Sequence, residues 1–253
     1  MIRCALVASL TMSVLVPAST RAEQALVAVA ANFAEVAAEL EVQFEQNSKH
    51  TIDLTIGSTG KLFTQITNGA PFDVLLAADQ ERPRRLEESG LAIRGSRRTF
   101  AVGRLVLWSA DPQRVKGNGA AVLRAGGFRA IAIANPRLAP YGVAAVEVFQ
   151  ALGISESLRD RIVMGENVGQ AHAMVASGNA ELGLIALSSV THPEDSRPGS
   201  AWEVPQALYA PIRQDAVLLT RAAHNTAARS FLSFLQSSVA TEMIESYGYQ
   251  VAR

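Results

Sequence analysis

Cysteine is nearly missing from this 253-residue sequence: Cys4 is the only one, and it lies close to the N-terminus. The rest of the chain therefore has no disulfide framework, no thiolate metal site and no cysteine nucleophile, and Cys4 stands too early to be a lipid-modified residue following an apolar region. Excess charge of one sign is missing too, with 23 basic against 23 acidic residues. There is no charge block, sequence repeat or low-complexity tract, which argues against nucleic acid as a partner. Arg3, a mostly apolar stretch to Val16, then Pro17 and the ending Thr20-Arg21-Ala22 read as a secretory signal peptide over residues 1–22. Ser9, Thr11, Ser13 and Pro17 interrupt a run already too short for a membrane anchor. Without Arg3 and Arg21 the remainder carries a net charge of −2, so any bound anion has to be held by local donors and not by the overall field.

What is present is an ordinary globular composition, 49% hydrophobic and 18% charged, enough for one large domain or two modest ones. Short apolar runs alternate with helical patterns, the signature of α/β architecture. Strands are expected at residues 25–31, 52–56, 72–77, 130–134, 162–163 and 182–187, and two longer β-prone runs at 99–109 and 209–219. Helical stripes follow at Phe33, Val36, Ala37, Leu40 and Phe44, at 62–68, from Asp79 to Glu88, at Val143, Val146, Phe149 and Leu152, at Ala171, Met174 and Val175, and over 227–247. Gly69, Gly90 and Gly153 read as helix stops, and segments 111–119 and 192–199 as loops.

The unit of strand, turn and helix recurs with a polar or glycine-bearing turn around Asn32, Ser58, Tyr141 and Val168. In Ile56-Gly57-Ser58-Thr59-Gly60-Lys61, two glycines flank two hydroxyls at the expected start of a helix, where the first amides have no partner and the dipole favours negative charge. Taken alone, those six residues fit an ordinary turn with Thr59 as N-cap better than they fit an anion seat. They do not fit a nucleotide P-loop, which requires glycine where Thr55 stands and serine or threonine where Leu62 stands. Asn32 with Glu35 has the form of a capping box. Ligands in open α/β sheets bind outside the carboxyl ends of the strands, so two facing lobes would direct four such turns at one cleft.

With these turns in view the sequence resembles the periplasmic molybdate-binding proteins of ABC importers, over about residues 25 to 249. The likeness is carried by Val29-Ala30-Ala31-Asn32-Phe33, Gly57-Ser58-Thr59-Gly60-Lys61-Leu62, Gly69-Ala70-Pro71-Phe72-Asp73-Val74 with Ala77-Ala78-Asp79, Asn135-Pro136, Gly165-Glu166-Asn167-Val168 and Tyr247-Gly248-Tyr249, in that order. It implies two Rossmann-like lobes of the type II periplasmic binding protein fold, a ligand cleft between them and two hinge-crossing strands at 99–109 and 209–219. The expected division is 23–102 plus 214–253 for one lobe and 103–213 for the other. It further implies a tetrahedral dianion, molybdate and with it tungstate, held by Asn32 with Ala31 beside it, by Ser58 and Thr59, and by Tyr141 and Val168. Asn32 would offer its side-chain amide; Tyr141 and Val168 would offer backbone amides. Many members place a tyrosine after the Leu-Gly-hydrophobic-hydrophobic strand, where this chain has Ala186 after Leu182-Gly183-Leu184-Ile185. The other implied properties are a periplasmic monomer without cofactor that delivers the ion to a permease and its ATPase.

A fully ionised oxyanion presents only acceptors, and hydrogen bonds to a charged acceptor contribute roughly 1.5–3 kcal/mol each, so neutral donors suffice. Phosphate keeps a proton near neutral pH and needs an acceptor; no carboxylate is expected among the four turns. Lys61 is read as a solvated bystander. His50, His172, His192 and His224 lack metal-ligand spacing, and Asp73 and Asp79 read as capping or turn residues in place of a general acid and base. The competing readings are a binding protein for another oxyanion such as sulfate, an enzyme on the same scaffold, for which no nucleophile and base are found among the turns, and a ligand-sensing regulator, which would carry a helix-turn-helix.

Overall fold

The computed structural model describes residues 22–191 and 199–251; the signal-peptide reading, except for Ala22, and nearly all of the 192–199 loop reading lie outside them. Among the described residues, ten strands form two five-stranded sheets packed against helices. The first sheet has the order β2-β1-β3-β10-β4, with β1 Gln24–Ala30, β2 Thr51–Gly57, β3 Val74–Leu76, β4 Arg98–Gly103 and β10 Ile212–Leu218. The second has the order β7-β6-β8-β5-β9, with β5 Leu105–Ser109, β6 Ile131–Ala134, β7 Ile162–Gly165, β8 Leu182–Ala186 and β9 Ser200–Glu203. Each sheet has three parallel strands followed by one that runs antiparallel to both its neighbours. In each case that antiparallel strand is the one the chain enters after leaving the other sheet.

The apolar run at 99–109 is thus two strands, β4 in one sheet and β5 in the other, parted at Arg104. The run at 209–219 differs from expectation: β10 lies wholly in the first sheet, and the chain passes between sheets before it. Tyr209 belongs to the departing side, since its hydroxyl accepts from Leu105 N at 3.0 Å. Within β10 the register slips between Gln214 and Asp215, and both are fully buried. Asp215 meets Arg97, Thr99 and Gln80, whereas Gln214 faces the interior near Asn32.

Helix α1, Ala34–Asn47, buries Val36, Ala37, Leu40 and Phe44 against one face of the first sheet, with Phe231 and Ile244 from the C-terminal segment in the same core. That segment is two helices, α8 Thr226–Phe234 and α9 Ser238–Ser246, and not one. Ser237 ends the run by accepting from Ala240 N at 3.2 Å, an N-cap that the apolar stripe concealed. On the other face α2, Thr59–Thr67, and α3, Glu81–Glu88, bury Leu62, Ile66 and Leu86. Gly69 after α2, Gly90 after α3 and Gly153 after α5, Pro140–Ala151, all take positive φ, as expected of helix stops. In α5 Tyr141, Ala144, Ala145, Val148 and Phe149 are buried, and Val146 and Leu152 pack partly buried against the same core, so of the expected stripe only Val143 is exposed. A helix the sequence reading passed over, α4 Gly119–Ala125, is capped by Asn118, and α6, Ser155–Leu158, is a single turn. The helix α7, Val168–Ala176, follows β7.

Candidate functional site: a cavity between four helix starts

The carboxyl ends of β1, β2, β6 and β7 feed four turns that converge on a small cavity, with about 10 Å³ open to the centre of a water-sized sphere. Ala31, Asn32, Ser58, Thr59, Tyr141 and Val168 all line it, together with Ala30, Ala78, Ala139, Pro140 and Asn167. Pockets for drug-sized ligands start near about 300 Å³, so this space is far too small for a nucleotide. No charged side chain lines it among the described residues.

The lining offers donors. Ser58 is the N-cap of α2 by position, yet its side chain caps nothing: Oγ is buried and has no hydrogen-bond partner among the described residues. A buried hydroxyl left this way is destabilising by about 1–3 kcal/mol unless something enters to accept its proton. Thr59 is therefore not the cap. Its Oγ1 accepts from Ala78 N at 3.1 Å, which leaves the hydroxyl proton to donate elsewhere. Tyr141 follows Pro140 in the first turn of α5, and Val168 opens α7, so their amides have no acceptor within their own helices. Asn167 caps α7 by accepting from Gln170 N at 2.9 Å, which engages its side-chain oxygen.

Asn32 differs from expectation in two ways. It caps no helix, because a 3-10 turn over Ala31–Phe33 precedes α1. Its side-chain amide is also engaged: Nδ2 donates to Gln214 Oε1 at 2.8 Å and to the Tyr249 hydroxyl at 3.0 Å. Asn32 lines the cavity, but the side-chain amide that sequence reasoning offered to an anion serves the wall behind it. Gln214, Tyr249 and Ser188, which meets Asn32 O at 2.9 Å, were missed. The signal for Gln214 was a polar pair inside an apolar strand and for Tyr249 the Tyr247-Gly248-Tyr249 motif; for Ser188 the sequence carries none.

The two halves touch around the cavity. Gly60 N donates to Leu138 O at 2.8 Å, and a Cβ on Gly60 would lie 2.9 Å from that oxygen and 3.0 Å from Leu138 Cα. That glycine serves the approach of the opposite lobe and not that of a ligand. Lys61 does not line the cavity, and it is not simply solvated: Nζ lies 3.0 Å from Glu166 Oε1 across the cleft, a half-exposed pair that contributes about 0–1 kcal/mol. Two larger hollows flank the cavity. Both carry ionisable side chains, Asp79, Glu81 and Glu147 with Arg82 and Arg213 in one, and Glu35 with His172 in the other, unlike the neutral cavity between them.

Burial pushes the Tyr249 phenol up to about 12, and burial raises Tyr141 well above the usual phenol range. Both stay protonated throughout the physiological range. The unfolded chain releases the Tyr249 proton near pH 10 and the folded chain near 12, so the folded state holds more protons in that window and loses stability as pH rises through it. From Tyr249 alone the expected loss between about pH 10 and about pH 12 is 2–3 kcal/mol, with none below about pH 9, measurable by urea titration at several pH values.

Asp73 and Asp79 sit in structural roles. The first accepts from Leu26 N at 2.8 Å and meets Arg221; the second accepts from Arg82 N at 2.9 Å at the start of α3. His172 packs edge-on against Trp108. No group of three or more His, Cys, Asp or Glu is placed to hold a metal ion, and no helix is long and apolar enough to cross a membrane, among the described residues.

Residues 25–250 match the family model described as bacterial extracellular solute-binding protein. The chain belongs to that family. Within it, this solute-binding protein is 48% identical to the molybdate-binding protein ModA of Azotobacter vinelandii over 93% of each chain. It is 47% identical to the molybdate-binding protein ModA of Rhodobacter capsulatus, over 95% of this chain and 93% of the other. Its fold superposes on the solved periplasmic molybdate-binding protein of Azotobacter vinelandii with a TM-score of 0.87 at 40% identity, covering 90% of this chain and all of that one. The two-lobed α/β architecture expected for a solute-binding protein is therefore the observed one.

Proposed function

We propose that this solute-binding protein captures molybdate, and tungstate with it, in the cavity between the four helix starts and presents it to an ABC-type importer. The observation that carries the reading is the Ser58 hydroxyl, buried in a neutral lining and lacking a protein acceptor. Around it the Thr59 hydroxyl and the first-turn amides at Asn32, Tyr141 and Val168 are donors, and four helix starts supply positive potential without a counter-ion. No carboxylate stands in that lining to accept the proton of hydrogen phosphate. Nor does a histidine, lysine or carboxylate there activate the serine, which favours capture without catalysis. Two relatives named for molybdate binding, each near half identical over nearly the whole chain, support the same choice of ion.

One lobe holds the sheet of β1 to β4 with β10 and the other the sheet of β5 to β9. The expected boundaries, which cut β4 before Gly103 and β10 after Arg213, therefore shift to Arg104 and to the segment before Ile212. The lobes close as a hinge over the ion. The protein acts as a periplasmic monomer without cofactor, exported by the segment 1–22, and its partners are the permease and ATPase of the importer. Calorimetry against molybdate, tungstate, sulfate and phosphate tests the reading: molybdate and tungstate are expected to bind one per chain, and preference for sulfate or phosphate would refute it. Because nothing in the lining titrates between about pH 6 and 9, the affinity is expected to be flat over that range.

Single-donor variants separate binding from folding. Ser58→Ala removes a hydroxyl that makes no protein bond, so a loss of about 1.5–3 kcal/mol in ion affinity is expected with no loss of thermal stability. Thr59→Ala also strands Ala78 N and is expected to lower both.

A further inference from the structure

Behind the cavity lies a polar network that reaches the Asn32 turn and the Tyr141 turn. Gln214 receives the Asn32 amide at 2.8 Å and reaches toward the Tyr141 hydroxyl at 3.4 Å, so it touches two of the four turns, one from each lobe. The Tyr249 hydroxyl donates to Asn32 O at 2.7 Å and accepts from Asn32 Nδ2. Ser188 Oγ, in the 3-10 turn after β8 of the second sheet, stands 2.9 Å from Asn32 O and 3.0 Å from the Tyr249 hydroxyl. The chain is built around this arrangement. A Cβ on Gly103, where the chain leaves the first sheet, would fall 2.1 Å from the Tyr141 hydroxyl and 2.7 Å from Gln214 Nε2. The bulge in β10 aims Gln214 inward beside a second buried polar residue, Asp215.

We propose that Gln214 and Tyr249, linked to Ser188, are positioning residues for the anion site: they fix the backbone of the Asn32 turn and tie it to the Tyr141 turn of the opposite lobe. The proposal rests on the reading of the cavity as an oxyanion site. Asn32 and Tyr249 each meet more than one partner, so Asn32, which lines the cavity, has few orientations open to it. Ser188 and Tyr141 belong to the second lobe, and Asn32, Gln214 and Tyr249 to the first. The network is complete only when the lobes are together. Its loss therefore speeds opening, and the dissociation rate rises while the association rate, set by encounter with the open cleft, does not.

The test measures sodium molybdate binding by calorimetry and stopped-flow for Gln214→Leu, Tyr249→Phe, Ser188→Ala and Ser188→Thr, with Ser58→Ala as the ion-contacting reference. Tyr249→Phe keeps the ring packed edge-on against Phe33 and removes only the hydroxyl. Gln214→Leu and Tyr249→Phe are each expected to weaken binding about tenfold, through faster dissociation, with one ion per chain retained. Ser188→Ala is expected to move in the same direction and Ser188→Thr to restore it. Affinities within about twofold of the parent in the first two variants, alongside a loss in Ser58→Ala, would overturn the proposal and leave the site standing. Reduced stoichiometry at unchanged affinity marks a merely structural role and overturns it too. If Ser58→Ala also binds as the parent does, the site reading fails and the proposal with it. Should a core variant not fold, the Ser188 pair decides: equal affinity in Ala and Thr overturns the proposal.

Discussion

Ser58→Asp is expected to abolish molybdate binding, by more than about 1,000-fold at pH 8, while leaving the protein without ligand as stable as its parent or more so. The position has two properties that pull the outcomes apart. It is the N-cap of α2, where aspartate is among the preferred residues, and it faces the positive ends of the other helix starts. A carboxylate there satisfies locally what the anion would satisfy. Against an incoming dianion the same carboxylate is repulsive: at about 4 Å and an effective dielectric near 20, each pair of unit charges contributes roughly 4 kcal/mol, and about 1.4 kcal/mol is a factor of ten in affinity. Calorimetry for binding and thermal melts without ligand check both halves. Binding within about tenfold of the parent would place the anion elsewhere.

Gly142→Ala sets two effects of opposite sign against each other. Helix propensity alone favours alanine over glycine by about 0.8–1.0 kcal/mol within α5. A Cβ at this position, however, would lie 2.2 Å from Ala134 O, 2.8 Å from Ala134 C and 2.8 Å from Pro136 N. All three are backbone atoms at the end of β6, and no side-chain rotation relieves them. Overpacking of this kind is destabilising by about 1–3 kcal/mol or more, so the variant is expected to be less stable despite the better helix former. The relief available is to lift the start of α5 off the strand, which carries the Tyr141 amide with it, so molybdate affinity is expected to fall as well. Val143→Ala, at the adjacent exposed position, is the control, with a change within about 0.5 kcal/mol. Equal stability of Gly142→Ala and its parent in denaturant titrations would show that this contact yields more easily than its geometry indicates.

The architecture was legible because it is written in periodicity. Strand-sized apolar runs, such as that ending in β1, pass through polar turns into helical stripes such as that of α1, and this locates the turns without knowledge of how the sheets pack. Where elements were misread, a local device overrode a periodic one. Ser237 caps a new helix inside a continuous apolar stripe, and Asn118 starts α4 in a segment whose glycines read as loop. The lining of the cavity was legible to the extent that each turn supplies consecutive residues. Atomic roles were not. Whether the Asn32 amide faces an ion or Gln214 depends on a residue 182 positions away, reached through a bulge that no spacing rule announces. Lys61 and Glu166 are likewise 105 residues apart and meet only because two lobes close.

The exchange of strands between the sheets also sets the order in which the halves can be completed. All five strands of the second sheet lie between Leu105 and Glu203, so that half is whole as soon as its own stretch of chain exists. The first sheet is different: among the described residues β4 pairs with β10 and, through a single bridge at Val102, with Gln250, both of which come late, and β3 keeps an open edge until β10 arrives between them. Its helical cover is also late, since Phe231 and Ile244 complete the core around Val27 and Val29. Contacts of such long sequence separation form slowly and leave strand edges unpaired meanwhile. Synthesised from its N-terminus, this protein finishes last the half that it begins first.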